Sequence, residues 1–152
     1  MKSFLSAVTV IILLIMTGCE KSKESPVITP PQASNVETGR SVDLTFVFKA
    51  EAGFGSSEII ATGGDAVIKS DGSSGSVSGN IVVTFTAGTT TGSGTVSVTV
   101  KDMEGQRGTS AVAIVIEEVP TISVSSNITQ NQTWESGNIY ILEGRITVVP
   151  GV

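Results

Sequence analysis

Few side chains in this 152-residue sequence could carry chemistry, and the missing ones narrow the field first. Histidine is absent, so no Ser-His-Asp triad, Cys-His pair or His-ligated metal can be assembled. The one cysteine, Cys19, can make neither an internal disulfide nor a thiolate zinc site. There is no Gly-x-Ser-x-Gly elbow and no phosphate-binding Gly-rich loop, so no cofactor is expected. Catalysis would rest on carboxylates alone, and nothing in the pattern points to a cleft that would pair two of them for glycoside hydrolysis. The chain does not read as an enzyme. Its one distinctive reactive group is the thiol of Cys19, directly behind Thr17-Gly18 at the end of an apolar run.

Residues 1–18 have the layout of a secretory signal: Lys2 as the positive start, Phe4 to Met16 as the apolar stretch, and small residues before a cut. Ser3, Ser6 and Thr9 interrupt the stretch, and it falls short of the roughly 20 apolar residues of a membrane span. Met16-Thr17-Gly18-Cys19 resembles the lipobox of bacterial lipoproteins, with Met16 where leucine is commonest. The resemblance implies cleavage between Gly18 and Cys19, diacylglycerol on the Cys19 thiol, and attachment to a membrane. Glu20 differs from the aspartate that enteric bacteria use for inner-membrane retention, which points to the outer membrane. Residues 19–31, with mixed charge, serines and three prolines, read as a lipid-anchored tether.

Two further groups of residues could bind something. Asp65, Asp71, Asp102 and Glu104 fall in predicted turns, where oxygen ligands can hold calcium; capping of the turns themselves is the alternative. Trp134 and Tyr140 could stack on a sugar ring, or could pack within an entry strand. No residue pattern singles out a metal site beyond those four carboxylates.

The elements that must position these groups are strands. Charged residues make up only 15% of the chain and there are 17 glycines, a composition suited to short strands joined by Gly/Ser turns. The apolar period is two from residue 40 onward. In 41–50 Val42, Leu44, Phe46, Phe48 and Ala50 share a face; in 80–87 Ile81, Val83, Phe85 and Ala87 do. Val96, Val98 and Val100 alternate through 95–101, and Val112, Ile114 and Ile116 through 107–117. Shorter strands are expected at 27–29, 58–62 and 66–69, giving about seven, the count of an immunoglobulin-like antiparallel β-sandwich. The segment 71–79, DGSSGSVSG, reads as a mobile loop. Removing residues 1–18 takes away Lys2 and no acid, so the net charge moves from −5 to −6. Scattered charge of that sign argues against a nucleic-acid partner.

The stretch from Gly94 to Gln106 is similar to the closing hairpin of bacterial surface Ig-like domains of the polycystic-kidney-disease and cadherin-like kind. Val98, Val100, Asp102 and Gly105 fit its V-x-V-x-D-x-x-G form. That resemblance covers 26–118 and implies a spacer or binding module. Beyond it, 119–152 contains a Trp-x-x-Gly-x-x-Tyr-x-Leu-x-Gly-Arg run that resembles the entry segment of Bacteroidetes-type parallel β-helix surface proteins. Ile139, Ile141, Ile146 and Val148 are expected to form two short apolar strands around Glu143-Gly144. The whole reads as a membrane-anchored envelope or surface lipoprotein, a non-catalytic module that either binds, with a protein or polysaccharide as the ligand class, or serves as a spacer. The alternative is the N-terminal piece of a larger β-helix adhesin or carbohydrate-active protein.

Overall fold

The structure, a computed structural model, describes residues 23–152. Gly18, Cys19 and the signal-like segment lie outside the described residues. The described chain is all-β: β1 (Val27–Thr29), β2 (Ser34–Glu37), β3 (Ser41–Lys49), β4 (Phe54–Thr62), β5 (Gly64–Ser70), β6 (Ser78–Ala87), β7 (Gly92–Asp102), β8 (Arg107–Glu117), β9 (Thr121–Val124) and β10 (Ile139–Leu142). One sheet runs β1-β3-β6-β5 and a second runs β2-β8-β7-β4. Apart from the doubled first strand, this is the four-on-three strand order of an immunoglobulin sandwich.

The sandwich has eight strands where about seven were expected, because the first is split. Pro30-Pro31 ends β1, since proline supplies no ladder N–H. The chain then steps across to the other sheet. β1 pairs antiparallel with β3, whereas β2 pairs parallel with β8, so the second sheet is mixed. Only Val36 of β2 is buried, which leaves no periodicity to announce that strand.

The alternating residues meet between the sheets. Leu44, Phe46 and Phe48 face Val96, Val98 and Val100, with Ile81, Val83 and Phe85 from β6 and Val112, Ile114 and Ile116 from β8. Burying each such side chain contributes about 1.5–3 kcal/mol against leaving it in water. The edge strands β4 and β5 run longer than their apolar cores predict, and Ile59, Ala61, Ala66 and Ile68 are half-buried against the same core. Asp65 therefore lies in β5, opposite Thr86, and not in a turn.

Segment 71–77 does not hang free. Gly75 N–H donates to Phe54 C=O at 2.8 Å, Phe54 N–H to Ser76 C=O at 2.8 Å, and Ala50 N–H to Val77 C=O at 2.8 Å. It covers Phe48 and Phe54, whose rings lie 4.9 Å apart. A Cβ on Gly72 would meet both rings at 2.8–2.9 Å, so the glycine is there for close approach rather than for looseness.

After β8 the pairing is separate. β9 and β10 pair with each other, in parallel, with Ile139 opposite Thr121 and Leu142 opposite Val124. The expected pairing of 139–142 with 146–148 around Glu143-Gly144 is not formed. Val148 instead bridges Ile128 in parallel, and Ile128 N–H donates to Thr147 C=O at 2.9 Å. Apolar alternation marks a strand but not its partner, and the preceding segment 121–128 was free to pair.

Candidate functional site

The N-terminal approach is seated on one end of the sandwich. Pro26 and Ile28 are buried, and β8 presents Gly108 beneath them; a Cβ there would run into the Pro26 carbonyl oxygen. Further out, Gln106 Nε2 donates to the Lys23 carbonyl at 2.6 Å, and Ser25 Oγ donates to Gln106 Oε1 at 2.9 Å. Lys23 also pairs with Glu104 at 3.6 Å. Contacts across some eighty positions of sequence leave no local periodicity, so no pattern along the chain announces them.

The turn that receives this segment is built by Asp102. Its carboxylate is 2% exposed, and Oδ1 accepts from Glu104 N–H at 3.0 Å and Gln106 N–H at 2.8 Å. Gly105 comes next but two with φ of +87°, a conformation that favours glycine. Asp102 and Gly105 are thus the physical content of the closing-hairpin motif. Asp71 acts similarly, with Oδ1 accepting from Gly72 N–H at 2.8 Å and Ser57 Oγ at 2.7 Å. Of the four calcium candidates, only Asp102 and Glu104 share a turn. Among the described residues no three carboxylates gather into a cation cluster.

Trp134 and Tyr140, by contrast, are brought together. The Ser136-Gly137 turn, with Gly137 at φ +100°, folds the indole back on the phenol ring. The rings stack with centroids 4.6 Å apart and planes 14° from parallel. Tyr140 Oη accepts from Glu135 N–H at 2.8 Å, fixing the phenol in place. The pair borders a cleft of about 460 Å³ whose other walls include Ile122, Val124, Gln132, Thr133, Glu135 and Asn138. Trp134 stays 45% exposed. An exposed aromatic face edged by amide, hydroxyl and carboxylate groups suits a ligand with both apolar C–H faces and hydroxyls.

No protein-family model matches the chain, and no curated protein does. Solved structures do. The GspB Siglec domain superposes with a TM-score of 0.53 at 18% identity, over 72% of this chain and 66% of that one, just under two thirds. The SrpA adhesin from Streptococcus sanguinis gives 0.54 at 13% identity, over 73% and 68%. The likeness is one of fold.

A second cleft, of about 360 Å³, lies at the end of the sandwich where β8 finishes, between Asn35–Glu37, Arg40–Val42 and Glu117. Its polar groups bond one another: Asn35 Nδ2 to Glu117 Oε1 at 2.6 Å, and Arg40 to Glu37 at 3.7 Å. The aromatic cleft, edged by an exposed indole, is the better candidate for an outside ligand.

Proposed function

We propose that this chain is a bacterial envelope lipoprotein, held in the membrane by acyl chains on Cys19, whose sandwich is a non-catalytic spacer. The observation that carries this reading is where the chain enters and leaves. It enters beside the β7–β8 turn, through Lys23 and Ser25, and leaves at Glu117, where Thr38 N–H donates to the Glu117 carbonyl at 2.9 Å. These are opposite ends of β8, whose 11 residues span about 35 Å at 3.3 Å per residue. A domain threaded end to end lifts the next part of the chain off the surface. That part is 119–152 with the Trp134–Tyr140 cleft, which we assign as a binding site for a carbohydrate. The adhesin domains of similar fold support a binding role at a cell surface.

Replacing Cys19→Ser tests the anchor. The natural chain should partition into detergent and incorporate labelled palmitate, and the variant should do neither; equal labelling of the two would overturn the reading. Trp134 is the one tryptophan, so its fluorescence reports on the cleft directly. Titration with neutral oligosaccharides should shift the emission, and Tyr140→Ala should abolish the response. A flat titration across a broad oligosaccharide panel would remove the cleft from the proposal.

A second reading has one specific observation in its favour. Segment 120–128 pairs in parallel with 139–149, strand over strand and bridge over bridge, which is how one coil of a parallel β-helix lies on the next. On that reading 119–152 opens a solenoid in a longer protein whose activity lies further on. In-frame coding sequence beyond Val152 with Gly- and Val-rich repeats would favour it.

A further inference from the structure

We infer that the entry end of the sandwich rests on the membrane itself, with Met103 and Val77 seated among the headgroups of a zwitterionic phospholipid surface. The inference builds on lipid attachment at Cys19 and goes beyond it, because an anchor alone leaves a domain free to hang at any distance and angle.

Covalent geometry sets the distance. Lys23 is seated on the sandwich through its carbonyl, held by Gln106, and its ion pair with Glu104. Four Cα–Cα steps separate Cys19 from Lys23, and at 3.8 Å each they reach about 15 Å at most. An acylated Cys19 sits at the level of the lipid glycerols, beneath a headgroup layer about 5–7 Å deep. The entry end is therefore confined to within about 10 Å of the outer edge of that layer.

The groups at that end suit such a surface. Met103 occupies the tip of the β7–β8 turn at 60% exposure, and Val77 closes segment 71–77 at 63% exposure. Both flank the β3–β4 connection: Met103 N–H donates to Gly53 C=O at 3.0 Å, and Val77 C=O accepts from Ala50 N–H at 2.8 Å. Two apolar side chains projecting from the tips of otherwise polar turns suit shallow insertion at an interface. Charge decides the kind of surface. The cations at this end, Lys23, Lys49, Lys101 and Arg107, are offset by Glu24, Glu51, Glu58 and Glu104, with Lys23 paired to Glu104 and Arg107 to Glu58. Among the described residues there is thus no basic patch to draw the end onto anionic lipid.

The experiment uses the full acylated protein, purified from membranes and reconstituted into phosphatidylcholine vesicles, plain or with brominated chains, in a Trp134→Phe background. Met103→Trp should lose about half its emission in the brominated vesicles, because an indole in the interface lies within reach of the chains. Thr90→Trp, in the β6–β7 connection at the far end, should lose none. Admixture of phosphatidylglycerol should weaken the quenching at Met103→Trp, and a dozen Gly/Ser residues inserted after Ser22 should abolish it. Mass spectrometry of the N-terminal peptide separates failure of the anchor from failure of the contact. Acylated Cys19 with an unquenched Met103→Trp overturns the membrane contact alone, as does equal quenching at both ends. A free thiol on Cys19 overturns the anchor and the contact together. Quenching that survives the insertion overturns the short connection as its cause.

Discussion

At the scale of single residues, two aspartates do different work with the same carboxylate. Asp102 is buried and organises a turn, so its removal strips two backbone N–H groups of their acceptor. Asp102→Ala should cost about 2–3 kcal/mol in urea unfolding, whereas Asp102→Asn, which keeps an oxygen at the Oδ1 position, should cost about 1 kcal/mol. Asp43 lies on the solvent face of β3 and accepts hydrogen bonds from Lys69 and from Thr84 Oγ1. Those bonds, the one from Lys69 foremost, hold its carboxyl below the usual aspartate value of 3.8. The folded state thus prefers the ionised form. The stability this brings is complete above that ordinary value and is lost as pH falls through the lowered one. Asp43→Asn should accordingly narrow the gap in urea midpoint to the natural chain as pH drops below about 4, while the two differ at neutral pH. A gap that stays constant across that range would show that the lowered carboxyl is not linked to folding.

At the scale of elements, the seam between β1 and β8 is where one atom matters most. Gly108 passes under Pro26 with no room for a side chain. Gly108→Val should push the N-terminal segment off, unpairing β1 from β3 and costing about 1–3 kcal/mol, each kcal/mol lowering the midpoint by roughly 4–8 °C. Hydrogen exchange should speed up in Val27–Thr29 and at the facing end of β3 while the β6 and β7 cores stay protected. Unchanged exchange at β1 would show that the seam accommodates the valine. The same seam marks what could be read in advance. Strands whose two faces differ, such as Ser41–Lys49 with Leu44, Phe46 and Phe48 inward, declare themselves by period two alone. The half-exposed edges β4 and β5 were legible only over 58–62 and 66–69, and β2, with one buried side chain, not at all. The partner of a strand is a matter of which backbones meet. Alternation is silent on that, and so the parallel lap of β9 on β10 could not be told from a hairpin. In the candidate site, Trp134 and Tyr140 were conspicuous as rare aromatics, but their stacking depends on a left-handed Gly137 that spacing does not reveal.

At the scale of the molecule, the sandwich and the segment after it make separate claims on stability. The buried core ends with Ile116, and no residue of 119–152 belongs to it. β9 and β10 form a two-stranded sheet of their own, which in isolation is marginal in water. Ile139, Ile141 and Leu142 are each about half exposed along β10, whose outer edge has no neighbour among the described strands. Unpaired edge N–H and C=O groups beside apolar side chains recruit other strands. Removing residues 119–152 should leave the urea midpoint of the sandwich within error of the longer chain and reduce self-association in light scattering. The same reasoning sets the order of opening: amides of Ile139–Leu142 should exchange well ahead of those in β6 and β7, since a sheet of two strands opens without breaking the core. A fall in midpoint on truncation would mean that 119–152 packs on the sandwich, and the two would then unfold as one body. The spacer reading would lose its division of labour, because the part that binds would also be part of what stands between it and the membrane.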